Sequence, residues 1–244
     1  MRARRSSCPP AASAACSGSA SIACHVGYTA GGAAANDAQR VASYRPSDHE
    51  GRRVQVIRSG DTIENPVTGE RLVFTATSAE TDGKYVRFEC FVKPSGFVAA
   101  AHLHPLQEEL FEIVEGSMTF KVNGQELPTR PGNRILVPAG TSHQFWNAGD
   151  GTARFMCEVR PALQFEQLME TMFSLAQDGK TNKRGMPNPL RLAVIAHAYF
   201  DTVRLPFPPA WIQRVGLIFG APLGLLLGYR ATYEPKPTGK AVPA

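Results

Sequence analysis

Residues 96–116 read GFVAAAHLHPLQEELFEIVEG. His102 and His104 are two positions apart, so an extended backbone sends both imidazoles to the same side. Glu109 follows five residues after His104, and the run LFEIVE that leads to Gly116 has strand character. A second segment, GNRILVPAGTSHQFWN, spans 132–147 and adds His143. Three imidazoles and a carboxylate form a sensible donor set for a divalent transition metal.

Working outward, strand-like runs recur on both sides of these segments. RLVFTAT, YVRFECFV, SMTFKV, RILV, HQFWN and ARFMCEV are separated by turn chemistry at NPVTGE, TDGK, Asn123-Gly124, Pro138-Ala139-Gly140 and Gly149-Asp150-Gly151. Asn-Gly is the strongest short hairpin signal. VQVI, near Arg52, is a further short alternating run. About eight short strands with frequent turns and no helical pattern between them indicate an all-β sandwich or barrel.

The period changes at Arg160-Pro161. Apolar residues at 165, 168, 169, 172, 173 and 176 predict an amphipathic helix over 163–176. A second is expected over 190–204, with Leu192, Ile195, Tyr199 and Val203 on one side. Val215–Tyr229 is apolar and uncharged, but at 15 residues with a central Pro222 it is short of a membrane span, which needs about 20. It reads as a helix or hairpin packed on the barrel or on a partner subunit, with peripheral membrane contact as the alternative. The chain therefore divides into a tail over 1–45, a β-domain over 46–160 and a helical extension over 161–244 that contains the apolar segment 215–229.

Residues 1–45 are rich in Ala, Ser and Gly and have no acidic residue before Asp37. That composition is targeting-like but lacks a secretory apolar core, so a disordered tail without chemistry is expected. EPKPTGKAVPA, at the other end, reads the same way. The 26 Lys and Arg against 21 Asp and Glu leave only +5, not gathered into a basic stripe, which argues against nucleic acid. Five cysteines, none in a CxxC spacing, are not a disulfide framework. A cytoplasmic protein is the expectation, its helical stripes buried either at a homodimer interface, the preferred reading, or over the barrel mouth as a lid that excludes water from the metal.

The two histidine segments also resemble a known family. Gly96, His102, His104, Glu109 and Gly116 match G-x5-HxH-x4-E-x6-G, and Gly132, Pro138, Gly140, His143 and Asn147 match G-x5-PxG-x2-H-x3-N. These look like the two signature motifs of the cupin superfamily in its single-domain form, with a 15-residue spacer. Asn133 departs from the Asp common at that position, and serves a turn equally well. The resemblance implies a small jelly-roll β-barrel with one metal (Fe, Mn, Ni, Cu, Co or Zn) held by His102, His104, Glu109 and His143. Glu109 is preferred to Glu108 because it shares parity with Phe111 and Ile113, and it is also assigned a catalytic role.

Four protein ligands leave coordination positions open, which a catalytic site needs. The function expected is a metalloenzyme acting on a small organic molecule, either an oxygenase or a redox-neutral isomerase, lyase or cyclase. A non-catalytic metal-binding or small-molecule-binding module is the alternative. Phe111, Phe145, Arg87 and Glu158 are candidate substrate contacts. His25, His49 and His197 have no partners at useful spacing.

Overall fold

The computed structural model describes residues 57–233. The 1–45 tail, most of VQVI, His25, His49 and the closing EPKPTGKAVPA lie outside that range. Nine strands follow in order: β1 (Thr62–Asn65), β2 (Glu70–Ala76), β3 (Val86–Val92), β4 (Glu108–Glu115), β5 (Met118–Val122), β6 (Gln125–Thr129), β7 (Arg134–Val137), β8 (His143–Asn147) and β9 (Ala153–Arg160). They form a six-stranded sheet, β1-β2-β3-β9-β4-β7, and a three-stranded sheet, β6-β5-β8. Every pairing is antiparallel. No ladder joins the two sheets into one closed barrel among the described residues; the jelly roll is a pair of facing sheets.

What holds the sheets together is alternation. Val86, Phe88, Cys90 and Val92 of β3, and Ala153, Phe155, Cys157 and Val159 of β9, are buried, while the residues between them are not. Aromatic rings bridge the gap. Phe111 from the large sheet meets Phe120 from the small one at 4.9 Å, and Phe145 meets Phe155 at 5.3 Å. Edge-to-face and tilted packing of this kind adds to the area buried. Cys90 and Cys157 are free thiols within this core.

The turns follow from residue type. Asn123 and Gly124 both have positive φ and close the β5–β6 hairpin across the Val122–Gln125 pair. Gly116 has φ +75°, and a Cβ there would lie 2.8 Å from the Cα of Ala153, so the β4–β5 corner admits no side chain. Two strands were not expected from sequence. β1 (TIEN) and β6 (QELPT) are polar edge strands, and β6 carries Pro128, which only an edge tolerates.

Three helices come after the sheets: α1 (Phe165–Gln177), α2 (Pro189–Ala198) and α3 (Ala210–Leu226). Asn188 caps α2 by accepting from the Arg191 amide, and Pro189 opens it. The apolar stripe of α1 is buried within the chain. Phe165 stacks on Phe88 at 5.5 Å, and Leu168 and Leu175 form a second core with Ile195 and Tyr199. Helix α2 ends at Ala198, short of the expected Arg204. The reason is that Arg204 leaves the helix to pair with Leu103, each amide donating to the other's carbonyl at 2.9 Å.

Helix α3 runs through Pro222 as one element and packs on α2 through small residues. A Cβ on Gly224 would lie 2.5 Å from Cγ2 of Val194. Among the described residues, 11 of the 12 exposed large hydrophobic side chains fall between Leu205 and Leu227, so the opposite face of α3 is uncovered. No helix among the described residues is long and apolar enough to cross a membrane.

Candidate metal centre

The two segments read from the sequence are neighbours in space. His102 and His143 form an isolated antiparallel pair, their amides donating to each other's carbonyls at 3.0 and 2.8 Å. Their rings are 4.3 Å apart. His104 lies two residues on, its carbonyl accepting from the Gly140 amide at 2.7 Å. Glu109 enters from the second residue of β4, where alternation turns it inward and leaves Glu108 exposed opposite Arg160. The ligand atoms of His102, His104, Glu109 and His143 all lie within 4.8 Å of one another.

Each imidazole is held by its Nδ1. His102 Nδ1 meets the Ala100 carbonyl at 2.9 Å, His143 Nδ1 the Thr141 carbonyl at 3.2 Å, and His104 Nδ1 the Thr202 carbonyl at 2.6 Å. A carbonyl can only accept, so each of these nitrogens carries the proton and Nε2 is left with a lone pair for the centre. This is the outer-shell arrangement that fixes tautomer and ring orientation in metal-ligating histidines. Gln107, fully buried, reinforces His104 through Oε1 at 3.2 Å while its Nε2 donates to the Pro161 and Ala162 carbonyls.

The charges agree. Burial, together with the imidazoles of His143 and His104, holds His102 down at about 3, so it is neutral. Burial alone would raise Glu109, but the imidazoles of His104 and His143 outweigh it and hold the carboxylate at about 2. Burial works against protonation of His143, and the Glu109 carboxylate reverses that and carries it upward.

Two atoms remain unsatisfied. His104 Nε2 and Glu109 Oε2 are buried without a hydrogen-bond partner, although Glu109 Oε2 lies 2.7 Å from His143 Nε2 and 3.5 Å from His104 Nε2. Lone pairs left so in a protein interior cost on the order of 1–3 kcal/mol each. A cation at their common focus would satisfy all of them. The donor set thus fits a divalent transition metal.

The four side chains form part of the wall of a cavity of about 580 Å³ that extends between the sheets and the helices. Phe111 and Phe145 line it from the sheets; Phe165, Met169 and Met172 of α1, Leu192 and Ile195 of α2, and Leu217 of α3 line it from the extension. The helices therefore cover the side of the site that the sheets leave open.

Arg87 and Glu158 do not line this cavity. They alternate with Val86 and Val159 and so occupy the outer face of the large sheet, where Arg87 and Arg160 both pair with Glu158. Those two arginines hold the Glu158 carboxylate below its ordinary value against the opposing effect of burial. The strand parity that argues for Glu109 places this pair outside. Asn133 serves the turn as expected, its Oδ1 accepting from the Arg130 amide.

Two residues of the site were not read from the sequence. Gln107 stands three after His104 inside the first segment, a spacing that could have flagged it. Thr202 acts through its main chain, for which no side-chain signal exists.

Comparison with known proteins gives a concordant picture. Residues 88–159 match the family described as "Cupin domain". Polyketide synthase CurC of Streptomyces cyaneus is 33% identical over 60 residues, which are 25% of this chain and 39% of that protein. Quercetin 2,3-dioxygenase of Bacillus subtilis is 33% identical over 91 residues, 37% of this chain and 26% of that protein. Tetracenomycin polyketide synthase protein TcmJ of Streptomyces glaucescens is 26% identical over 88 residues, 36% of this chain and 52% of that protein. The matched stretches span from about a quarter to about half of these relatives.

Proposed function

The chain carries a cupin domain, and we propose that this domain is a metal-dependent enzyme acting on a small, largely apolar organic molecule. One observation carries the reading: four ligand atoms within 4.8 Å of one another, three of them on buried residues, sit in the wall of a largely apolar cavity of about 580 Å³. His102, His104, Glu109 and His143 would hold one divalent transition metal, whose chemistry there is Lewis acidity toward a substrate oxygen. The residues of the chain do the rest. Phe111, Phe145 and Phe165 bind and orient an apolar body, and α1 and α2 exclude water from the site. The Nδ1 contacts hold the three imidazoles aimed, with each Nε2 turned toward the centre. Glu109 supplies the buried carboxylate best placed to take up a proton from a bound substrate.

The reaction class we favour is oxygenation or a redox-neutral isomerisation, elimination or cyclisation of an oxygen-bearing aromatic. The names of the relatives, a quercetin dioxygenase and polyketide synthase proteins, support a substrate of that kind. Oxygen uptake and product analysis with flavonols, diketones and catechols tests it. Turnover of one class supports the enzyme; binding of panel members without turnover would leave a binding module instead.

The chain is further proposed to pair with a second copy through the uncovered face of α3. Arg214, the one charged residue within α3, is matched by Asp201 at 3.4 Å, so the helix itself lacks the row of free cations that a membrane-surface helix uses. An apolar, nearly uncharged face suits a two-fold partner better.

A further inference from the structure

Besides the four-residue cluster, three other charged or amide side chains line the cavity: Glu70, Arg204 and Gln213. Arg204 and Gln213 are half-buried and already committed to carbonyls. Arg204 donates to Phe200, and Gln213 to Leu205 and Pro208. Glu70 differs. It is 8% exposed, and only Oε2 is engaged, by the Thr68 hydroxyl at 2.7 Å. Oε1 has no hydrogen-bond partner among the described residues.

The sheet register places Glu70 well away from the cluster. Glu109 stands opposite Val159, and Val159 opposite Val86; Glu70 stands opposite Val92, six residues further along β3. Six strand residues correspond to roughly 20 Å. Between the two rows the walls are apolar, with Leu72, Phe88, Cys90 and Phe155 lining the space.

A carboxyl group in such a place is expensive unless something answers it, since a buried polar group without partners costs several times what a paired one contributes. Burial raises Glu70 to about 7, so near neutral pH a good share of it is a protonated acid able both to donate and to accept. Ligand pockets of this kind are apolar with a few placed polar groups that set orientation.

We propose that Glu70 is a substrate-positioning residue that hydrogen-bonds, through Oε1, a hydroxyl or carbonyl at the end of the ligand remote from the metal cluster. The ligand class that follows is an elongated, mainly apolar, aromatic-type molecule with oxygen functions at both ends. The inference rests on the cavity being the substrate site, as proposed above.

The test compares binding of 2-naphthol and naphthalene, read by probe fluorescence, to the full chain and its Glu70→Leu, Glu70→Gln and Arg87→Ala variants. The ratio of the two dissociation constants should fall about tenfold in Glu70→Leu, as loss of one buried hydrogen bond implies. It should change by less than about threefold in Glu70→Gln, which still donates and accepts, and in Arg87→Ala, whose side chain lies on the outer face. A ratio in Glu70→Leu within about twofold of the parent value overturns the proposal. Should Glu70→Leu not fold, infrared difference spectra of the parent protein decide. The carbonyl band of the buried acid shifts on adding 2-naphthol but not naphthalene; an unmoved band overturns the proposal. Metal content is measured in parallel, so a protein that binds no metal yet shows the Glu70 effect would refute the enzyme reading alone.

Discussion

Nδ1 of His104 lies 2.6 Å from the carbonyl oxygen of Thr202, 98 positions further along the chain. The adjoining pair, Leu103 with Arg204, ties the same two segments by two main-chain hydrogen bonds. Metal-site geometry is therefore coupled to the helical extension. α1 and α2 do not merely cover the cavity, because the segment that follows them fixes one of the four candidate ligands.

Gln107 is the side chain that shares this duty. Its amide bridges His104 to the Pro161 and Ala162 carbonyls at the start of the extension. Gln107→Leu strands those carbonyls and releases one restraint on the imidazole. A loss of about 1–3 kcal/mol in denaturant melts is expected, with metal affinity down roughly 10-fold or more by competitive chelator titration. A metal affinity equal to the parent's would show that the Thr202 carbonyl alone orients His104.

Glu70 makes stability depend on pH in a definite sense. Its folded-state value is about 7 against an ordinary 4.5. Below pH 4.5 both states hold the proton and the residue has no effect. As pH rises from there the unfolded chain ionises first, so the native state binds more protons and loses stability, up to roughly 3 kcal/mol above pH 7. Glu70→Gln lacks this penalty. Urea melts should show the variant gaining on the parent between pH 4.5 and 8, and a constant difference would contradict the burial argument.

Much of the site was legible because it obeys parity. The two-position spacing of His102 and His104 and the inward row Glu109, Phe111, Ile113 follow strand alternation, and so do the positions of Phe111 and Phe145. Applied to the other strands, the same rule separates Val86 and Phe88 from Arg87, and it puts Glu158 outside. The edge strands β1 and β6 carry little hydrophobic pattern, since one flank of each meets water. The end of α2 was hidden for a different reason. Tyr199 and Val203 continue an apolar stripe, but pairing with Leu103 overrides the local preference at Arg204. Glu70 had no signal either: its environment is created by the Thr68 turn and by chain far away.

Arg87→Ala should leave both metal content and naphthol binding unchanged, because its guanidinium lies on the outer face with Glu158. The pair is partly exposed, so its removal is expected to cost no more than about 1 kcal/mol in thermal melts. A drop in metal content would mean that the outer face of the sheet communicates with the site.

The α3 face is tested by charge. Phe219 and Leu226 are 74% and 84% exposed. Replacing both with Asp should convert a dimer into a monomer in sedimentation velocity, with no loss of secondary structure. A parent protein that sediments as a monomer and instead co-floats with phosphatidylglycerol vesicles would assign the face to a membrane surface.

Whether His102, His104, Glu109 and His143 hold a metal is measured directly by elemental analysis of freshly purified protein. About one divalent transition metal per chain is expected, with most of it lost when His102 and His143 are changed to Ala and the fold is retained. Parent protein free of transition metal, or a double variant that keeps more than half of the parent's content, would contradict it.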